Sequence, residues 1–556
     1  MLSPERLDSV IYSFTLFERT PTGNLLRVQV DNLNQPLNVN RGTKLELGST
    51  AKLRTLATYL EIISELHGKY STLDLMQSKP VLLNPQDHLS HWAIEYLASA
   101  SDRSLSPMLE AAMNRTYPAN PNERFFTGGG LHQFANFDSK DNGRVMAVRE
   151  AFQASVNLVF IRLMRDLVSY YMFREGGVSP AILEDENDPA RSRYLSRFAD
   201  WEGKEFLGRF WRRYAPQTPD DALRALINRL QPTPRRLAVI YRSVRAEADF
   251  GQFERFVTAH SGTKNLSRGA LQELYRKYGP EQFSLNDRGY LAGVHPLELW
   301  ILEYRHANPN ATLADVEEAS VRERQEVYQW LFKSGRKHAQ DRRIRTLLEM
   351  DVFQEIHAGW KRWGYPFPSL VPSYATAIGS SGDNPAALAE LAGILLCDGL
   401  RYPVTRIQEL RFASDTPFET VMRARPGLGE QVLSPLIARK LRQELVGVVE
   451  HGTARRAFQS VVLPNGRVVE VGGKTGTGDN RLHTYSAGGA QLRSQPLNRT
   501  AAFVFFIGDR FFGTVVAYVP GADAGSYRFT SALPVQVFKQ LIPQIRPLLV
   551  RNMQES

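Results

Sequence analysis

Segments that favour β-structure are confined to the two ends of this 556-residue chain, with a long helical tract between them. Residues 10 to 31, "VIYSFTLFERTPTGNLLRVQVD", are two β-favouring runs joined by a Pro-Thr-Gly-Asn turn, the pattern of a hairpin. Strand character returns only late, at "RVVEVGGKTG", "AAFVFFIGD" and "GTVVAYVPG". The last two are linked by a short turn-forming segment, as in an antiparallel hairpin, and precede a closing helix, "VQVFKQLIPQI". Strands at both ends with helices between imply an α+β fold whose sheet is assembled from the two ends of the chain.

From Ser49 onward Leu53, Leu56, Leu60, Ile63 and Leu66 recur at helical spacing, with Arg54, Glu61 and Glu65 between them, which predicts an amphipathic helix with one buried face. Residues 174 to 370 are rich in Arg, Trp and Tyr and show repeated helical periodicity with almost no alternation, so they read as a large all-α insertion. The expected division is 1–173, the insertion 174–370, and 371–556. The length is two to four domains' worth, and 43% hydrophobic residues suffice for a sizeable core.

A net charge of +10 favours anionic partners without choosing among them. The single cysteine, Cys397, lies in the apolar run "LAGILLCDGL" and reads as a small buried residue. There is no run of about 18 apolar residues, and "MLSPERLDSVIYSF" lacks the character of a signal peptide. Any anchor or export signal is therefore expected outside this chain.

Three short motifs carry the chemistry. "GSTAKL" (48 to 53) sets Ser49 and Lys52 in S-x-x-K spacing, "ASVNL" (154 to 158) sets Ser155 and Asn157 as S-x-N, and "GGKTGTGDN" (472 to 480) contains Lys474, Thr475, Gly476 and Thr477. Singly they are weak. S-x-x-K recurs at Ser261 to Lys264 and at Ser334 to Lys337, and S-x-N at Ser284 to Asn286. Only Ser49 precedes a well-patterned helix, where side chains at i and i+3 share a face about 5 to 6 Å apart.

A serine hydroxyl needs a base to become nucleophilic, and lysine can serve only if its neutral form is accessible near pH 7. Burial and a neighbouring cation, for which Lys474 is the candidate, are what would lower its pKa from about 10.4. A serine at a helix start also places its own N–H, and the positive end of the dipole, where charge develops on an attacked carbonyl. In "GGKTGTGDN" the glycines let a peptide lie along the strand as an added β-strand would, and the lysine and two threonines can grip a terminal carboxylate.

In this order and context the motifs resemble the transpeptidase domain of class A penicillin-binding proteins, within the serine penicillin-binding protein and β-lactamase-like superfamily. The resemblance extends to "RVMAVREAFQASVNLVFIRLMRDL" (144 to 167), "SYATAIGSSGDNPAALAELAGILLCDGLRY" (373 to 402), "VVEHGTARRAF" (448 to 458) and "DNR" (479 to 481). It implies a β-lactamase/transpeptidase-like antiparallel sheet with helices on both faces. It also implies a peptidoglycan D,D-transpeptidase: Ser49 acylated by a D-Ala-D-Ala stem peptide, Lys52 the general base, and Ser155 relaying protons to the leaving amine. Asn157 would bond the substrate amide, Lys474, Thr475, Gly476 and Thr477 would bind substrate, and the N–H groups of Ser49 and Thr477 would form the oxyanion hole. No metal or organic cofactor is implied. The implied partners are stem peptides and β-lactams, with no nucleic acid, and the implied place is the cell envelope on the outer face of the cytoplasmic membrane.

Leu47 and Leu53 stand where the family usually has proline, and Ala51 where it has a bulky aromatic. The upstream glycosyltransferase domain and membrane helix of class A members have no counterpart within these residues. For the insertion, a solvated module packing on its own core is favoured over contact with the wall, a lipid surface or an envelope partner. His88 and His91, spaced H-x-x-H without a third ligand, read as surface residues, and the loop at 128 to 143 as a cleft-rim or connecting loop. A D,D-carboxypeptidase on the same site and a non-catalytic wall-peptide or β-lactam sensor remain the alternatives. A β-lactamase is disfavoured, because no E-x-x-L-N segment supplies a deacylating glutamate.

Overall fold

The two ends of the chain meet in one six-stranded sheet. The computed structural model describes residues 3–21, 23–72, 83–127, 130–174, 181–262, 266–279, 281–333, 335–425, 427–485 and 491–553. β1 (Ile11–Thr20) and β2 (Gly23–Asp31) form the expected hairpin, whose turn residue Thr22 lies outside the described residues. With β3 (Val404–Thr405), β4 (Val471–Tyr485), β5 (Gln491–Ile507) and β6 (Phe511–Pro520) the order is β4-β5-β6-β1-β2-β3. β1 pairs antiparallel with β6, Phe14 opposite Val515, so the first long strand is stitched to the last. Only the short β3 runs parallel to its neighbour. β4 forms an edge of this sheet, so one side of it has no strand partner within it.

The helices that matter to the site are α1 (Ala51–Tyr70), α2 (Val148–Ala154), α3 (Asn157–Phe173), α4 (Pro385–Leu396), α5 (Pro435–Glu450) and α6 (Ala532–Met553). Phe506 stands opposite Phe512 and Phe505 opposite Gly513, and successive side chains of a strand point to opposite faces. Phe512 lies against Gly393 of α4, where a Cβ would come within 2.6 Å of its ring. Phe503 and Phe505 meet Phe538 of α6 at centroid distances of 5.3 and 4.6 Å. Helices therefore cover both faces of the sheet, and the fold is α+β as expected.

α1 differs from its expected amphipathic form. Besides the apolar stripe, Lys52, Arg54, Thr55 and Thr58 are buried, so the helix runs through the core. Each polar group on the unexpected side has an internal partner, which burial demands. Arg54 Nε donates to Asp383 Oδ2 at 2.7 Å, and its terminal nitrogens donate to the carbonyls of Trp363 and Ala387 at 3.1 and 3.3 Å. Thr58 Oγ1 donates to Arg54 O and accepts from Trp360 Nε1.

The chain divides into two units, Met1–Ser179 with Leu348–Ser556, and Pro180–Leu347. Among its described residues the second is built of helices alone, among them Pro189–Tyr214, Pro219–Asn228, Pro234–Val244 and Pro296–Ala307. Asp188, Thr218 and Thr233 cap the first three, each followed by proline, the combination that satisfies free N–H groups at a helix start. The unit has its own apolar interior, including Leu207, Leu226, Ile240, Val257 and Leu299. Residues 348–370, assigned from sequence to the insertion, fall in the first unit. Trp360 and Trp363 are buried there, and Trp363 Nε1 donates to Val432 O at 3.1 Å. Helical periodicity marks a buried face without saying which core buries it. No helix among the described residues is long and apolar enough to cross a membrane.

Candidate active site

Ser49 lies in a single 3-10 turn, Gly48–Thr50, that leads into α1. Where proline was noted as missing, Leu47 is buried and Gly48 takes φ +53°, a left-handed conformation open to glycine at little cost. Gly48 also allows a close approach, because a Cβ there would lie 2.1 Å from Thr477 O and 2.9 Å from Thr477 N. Gly476 is its counterpart on β4, where a Cβ would lie 1.9 Å from Leu47 O. Two glycines 428 positions apart by numbering (476 − 48) thus let the serine's turn and the edge strand touch through their backbones.

One helical turn beyond Ser49, Lys52 is fully buried. Its Nζ lies within hydrogen-bond reach of Ser49 Oγ at 2.6 Å, Asn157 Oδ1 at 2.8 Å, Ser155 O at 2.9 Å and Ser155 Oγ at 3.4 Å. The S-x-N spacing has a plain geometric origin. Ser155 ends α2 in a left-handed conformation, φ 61°, and Asn157 begins α3, so the short link between two helices aims both side chains at one amine. A left-handed non-glycine residue carries strain of about 1 to 2 kcal/mol, held here by the surrounding helices. Asn157 Nδ2 donates to Ala135 O at 3.1 Å, which fixes the amide with its oxygen toward Lys52.

Lys474 is also fully buried, behind the wall that Thr475, Gly476 and Thr477 form. Its Nζ donates to Ser155 Oγ at 2.9 Å and to Thr475 O at 3.0 Å, so the amine is engaged with these two oxygens. Phe160 and Phe152 lie 5.8 and 5.5 Å from the two ammonium nitrogens and supply apolar walls. Burial, with the charge of Lys474 second, holds Lys52 well below the usual lysine range, and burial brings Lys474 down to about 7.

These groups border a cleft of about 580 Å³ lined by Ser49, Ser155, Asn157, Thr475, Gly476 and Thr477, with Phe137, Asp138 and Asp141 from the glycine-bearing loop on its rim. The structure thus brings together every residue singled out from the three motifs. Of the rival pairs, Lys264 and Ser334 lie outside the described residues, and Ser284 caps a helix by accepting from Asp287 N. His88 pairs with Asp166 and His91 with Asn84 O, so each ring has a partner within the protein.

Three further cleft residues escaped the motif reading. Thr453 places its hydroxyl 2.5 Å from Thr475 Oγ1, Ser531 donates its N–H to Thr477 Oγ1 at 2.9 Å, and Ser380 lines the cleft with its hydroxyl unpartnered. Thr453 and Ser380 lie in segments that carry the resemblance, "VVEHGTARRAF" and "SYATAIGSSGDN", without being singled out there, and nothing near Ser531 marks it.

No protein-family model matches the sequence, and no curated protein matches it. Among solved structures the chain is similar to penicillin binding protein 3 from Mycobacterium tuberculosis, complexed with aztreonam, at 13% identity and TM-score 0.38, over 99% of this chain and 75% of that one. It is also similar to the TP domain of penicillin-binding protein 3 from Burkholderia pseudomallei, at 12% identity and TM-score 0.37, over 98% and 90%. A third is the D,D-transpeptidase domain of a peptidoglycan glycosyltransferase from Eggerthella lenta, at 12% identity and TM-score 0.36, over 96% and 78%.

Proposed function

We propose that this chain is a penicillin-binding D,D-transpeptidase acting through a serine acyl-enzyme. The observation that carries the reading is the 2.6 Å contact between Ser49 Oγ and the Nζ of a completely buried lysine with a second buried lysine nearby. A neutral Lys52 amine has two N–H groups, which Asn157 Oδ1 and Ser155 O accept, and one lone pair, which is left for the Ser49 hydroxyl. As Ser49 Oγ bonds to a D-Ala-D-Ala carbonyl, its proton passes to Lys52 Nζ. The backbone N–H groups of Ser49 and Thr477, on segments pressed together at Gly48 and Gly476, receive the developing oxyanion, a donor pair of which each member typically contributes about 2.7 to 4 kcal/mol.

When the tetrahedral adduct collapses, the C–N bond breaks. Ser155 Oγ–H gives its proton to the departing D-alanine amine and is re-protonated through the lysines that hold it. An acceptor amine then attacks the ester carbonyl, restores the Ser49 hydroxyl and leaves a new amide. The edge position of β4 allows a peptide ligand to lie alongside as an added strand. The reaction belongs at the cell envelope, where peptidoglycan lies.

The test is incubation with a fluorescent penicillin, in parallel with Ser49→Ala. A long-lived adduct, lost in the variant, is expected. Rapid turnover would mark a β-lactamase, and no adduct would leave the non-catalytic sensor. Product analysis with a stem peptide and an acceptor amine then separates crosslinking from the hydrolysis of a carboxypeptidase.

A further inference from the structure

Thr453 stands where three parts of the site meet. Its backbone N–H donates to Gln153 O at 3.2 Å, in the last turn of α2, two residues before Ser155. Its hydroxyl is 2.5 Å from Thr475 Oγ1 on β4, and it lines the cleft together with Thr475 and Thr477. The preceding residue permits this approach, because a Cβ at Gly452 would come within 2.3 Å of Gln153 O.

The distribution of protons on this wall restricts what it can bind. A hydroxyl has one proton and two lone pairs, so the Thr453–Thr475 pair uses one proton internally and presents one to the cleft. Thr477 Oγ1 accepts from the N–H of Ser531, which occupies a lone pair and leaves its own proton to donate. Lys474, the neighbour of Thr475 on β4, is wholly buried and engaged with Ser155 Oγ and Thr475 O. The wall therefore offers neighbouring neutral donors, and the complementary ligand group is an acceptor without protons of its own, such as a carboxylate.

We propose that Thr453 is a substrate-binding residue, and that the Thr453–Thr475 pair together with Thr477 holds the terminal carboxylate of the ligand through neutral hydroxyls. This assignment rests on the penicillin-binding reading above and adds to it a residue outside the three motifs. It also makes Thr453 specific for one group of the ligand, which a purely structural bracket between α2 and β4 would not be.

The experiment compares second-order acylation rates for benzylpenicillin and for its carboxamide, which differ only at the carboxyl group, in the wild-type protein and in Thr453→Val, Thr453→Ala and Thr453→Ser. Thr453→Val and Thr453→Ala are expected to lose about 10- to 100-fold with benzylpenicillin and much less with the carboxamide, because a hydrogen bond to a charged group is the stronger one. Thr453→Ser, which keeps the hydroxyl, is expected to restore the preference for the carboxylate. An equal loss for both ligands, or no loss in either variant, overturns the proposal. If the wild-type protein itself is acylated by neither ligand, the penicillin-binding reading fails first and takes this assignment with it. Should Thr453→Val not fold, the selectivity of Thr453→Ser and Thr453→Ala still decides.

Discussion

Lys474 donates to Ser155 Oγ at 2.9 Å while Lys52 reaches the same oxygen at 3.4 Å, so one hydroxyl stands between two buried amines. Two cations cannot share such a site at low cost, and the protonation of each depends on the other.

A first prediction concerns this coupling. Lys474 lowers the pKa of Lys52 by its charge, so Lys474→Met is expected to raise it and to move the ascending limb of the pH–acylation profile to higher pH. Acylation rates measured with a fluorescent penicillin from pH 5 to 10 check this; an unmoved limb would show that Lys52 does not sense its neighbour.

Lys474 also links stability to pH. In the folded chain burial brings it to about 7, whereas unfolded it takes the usual lysine value near 10.4. Between these values the unfolded chain binds a proton that the native one does not, so this residue's contribution to stability rises with pH from about 7 to about 10.4, by up to about 1.4 kcal/mol per pH unit. Below about 7 both states hold the proton and the dependence ends. Urea unfolding at pH 7 and pH 9, in wild type and Lys474→Met, should show a steeper rise in the wild type.

The contact between the serine's turn and β4 leaves no room for a methyl group. Gly476→Ala would put a Cβ 1.9 Å from Leu47 O, so it is expected to cost about 1 to 3 kcal/mol and to reduce acylation at least 100-fold as Ser49 is pushed away from Thr477. Gly68→Ala, in α1 with nothing within 4 Å of the added atom, is expected to leave acylation unchanged and to add about 0.5 to 1 kcal/mol. Thermal melts and adduct formation measure both.

The buried ion pair of Arg54 and Asp383 fixes α1 against the start of α4. Removing one partner strands the other charge in the core, so Arg54→Ala or Asp383→Ala is expected to cost about 3 to 5 kcal/mol. Replacing both, as in Arg54→Met with Asp383→Leu, should recover much of that loss. Urea titrations of the single and double variants give the comparison.

What the sequence discloses and what it hides follow from the range of the interactions. Ser49 and Lys52 sit one helical turn apart and Ser155 and Asn157 two residues apart, so their geometry is written in local spacing. The α+β class was legible for a similar reason, because β-favouring runs and helical spacing are properties of short windows. Arg54 was read as a polar residue between buried ones because its partner, Asp383, is remote in sequence, and Trp360 and Trp363 carry helical spacing without a record of which core receives them. The orientation of Lys474 toward Ser155, and of Thr453 toward Thr475, depends on how α2 and α5 meet β4, which no window of residues contains.

The pairing of β1 with β6 has a consequence in time. Ile11 finds its partner in Tyr518, so the sheet cannot close before residue 518 has been made, and such distant pairing is slow to form. Ser49 is made more than 400 residues before β4, the strand that the proposed oxyanion hole requires. A nascent chain that has not yet reached β4 is therefore expected to form no adduct with penicillin.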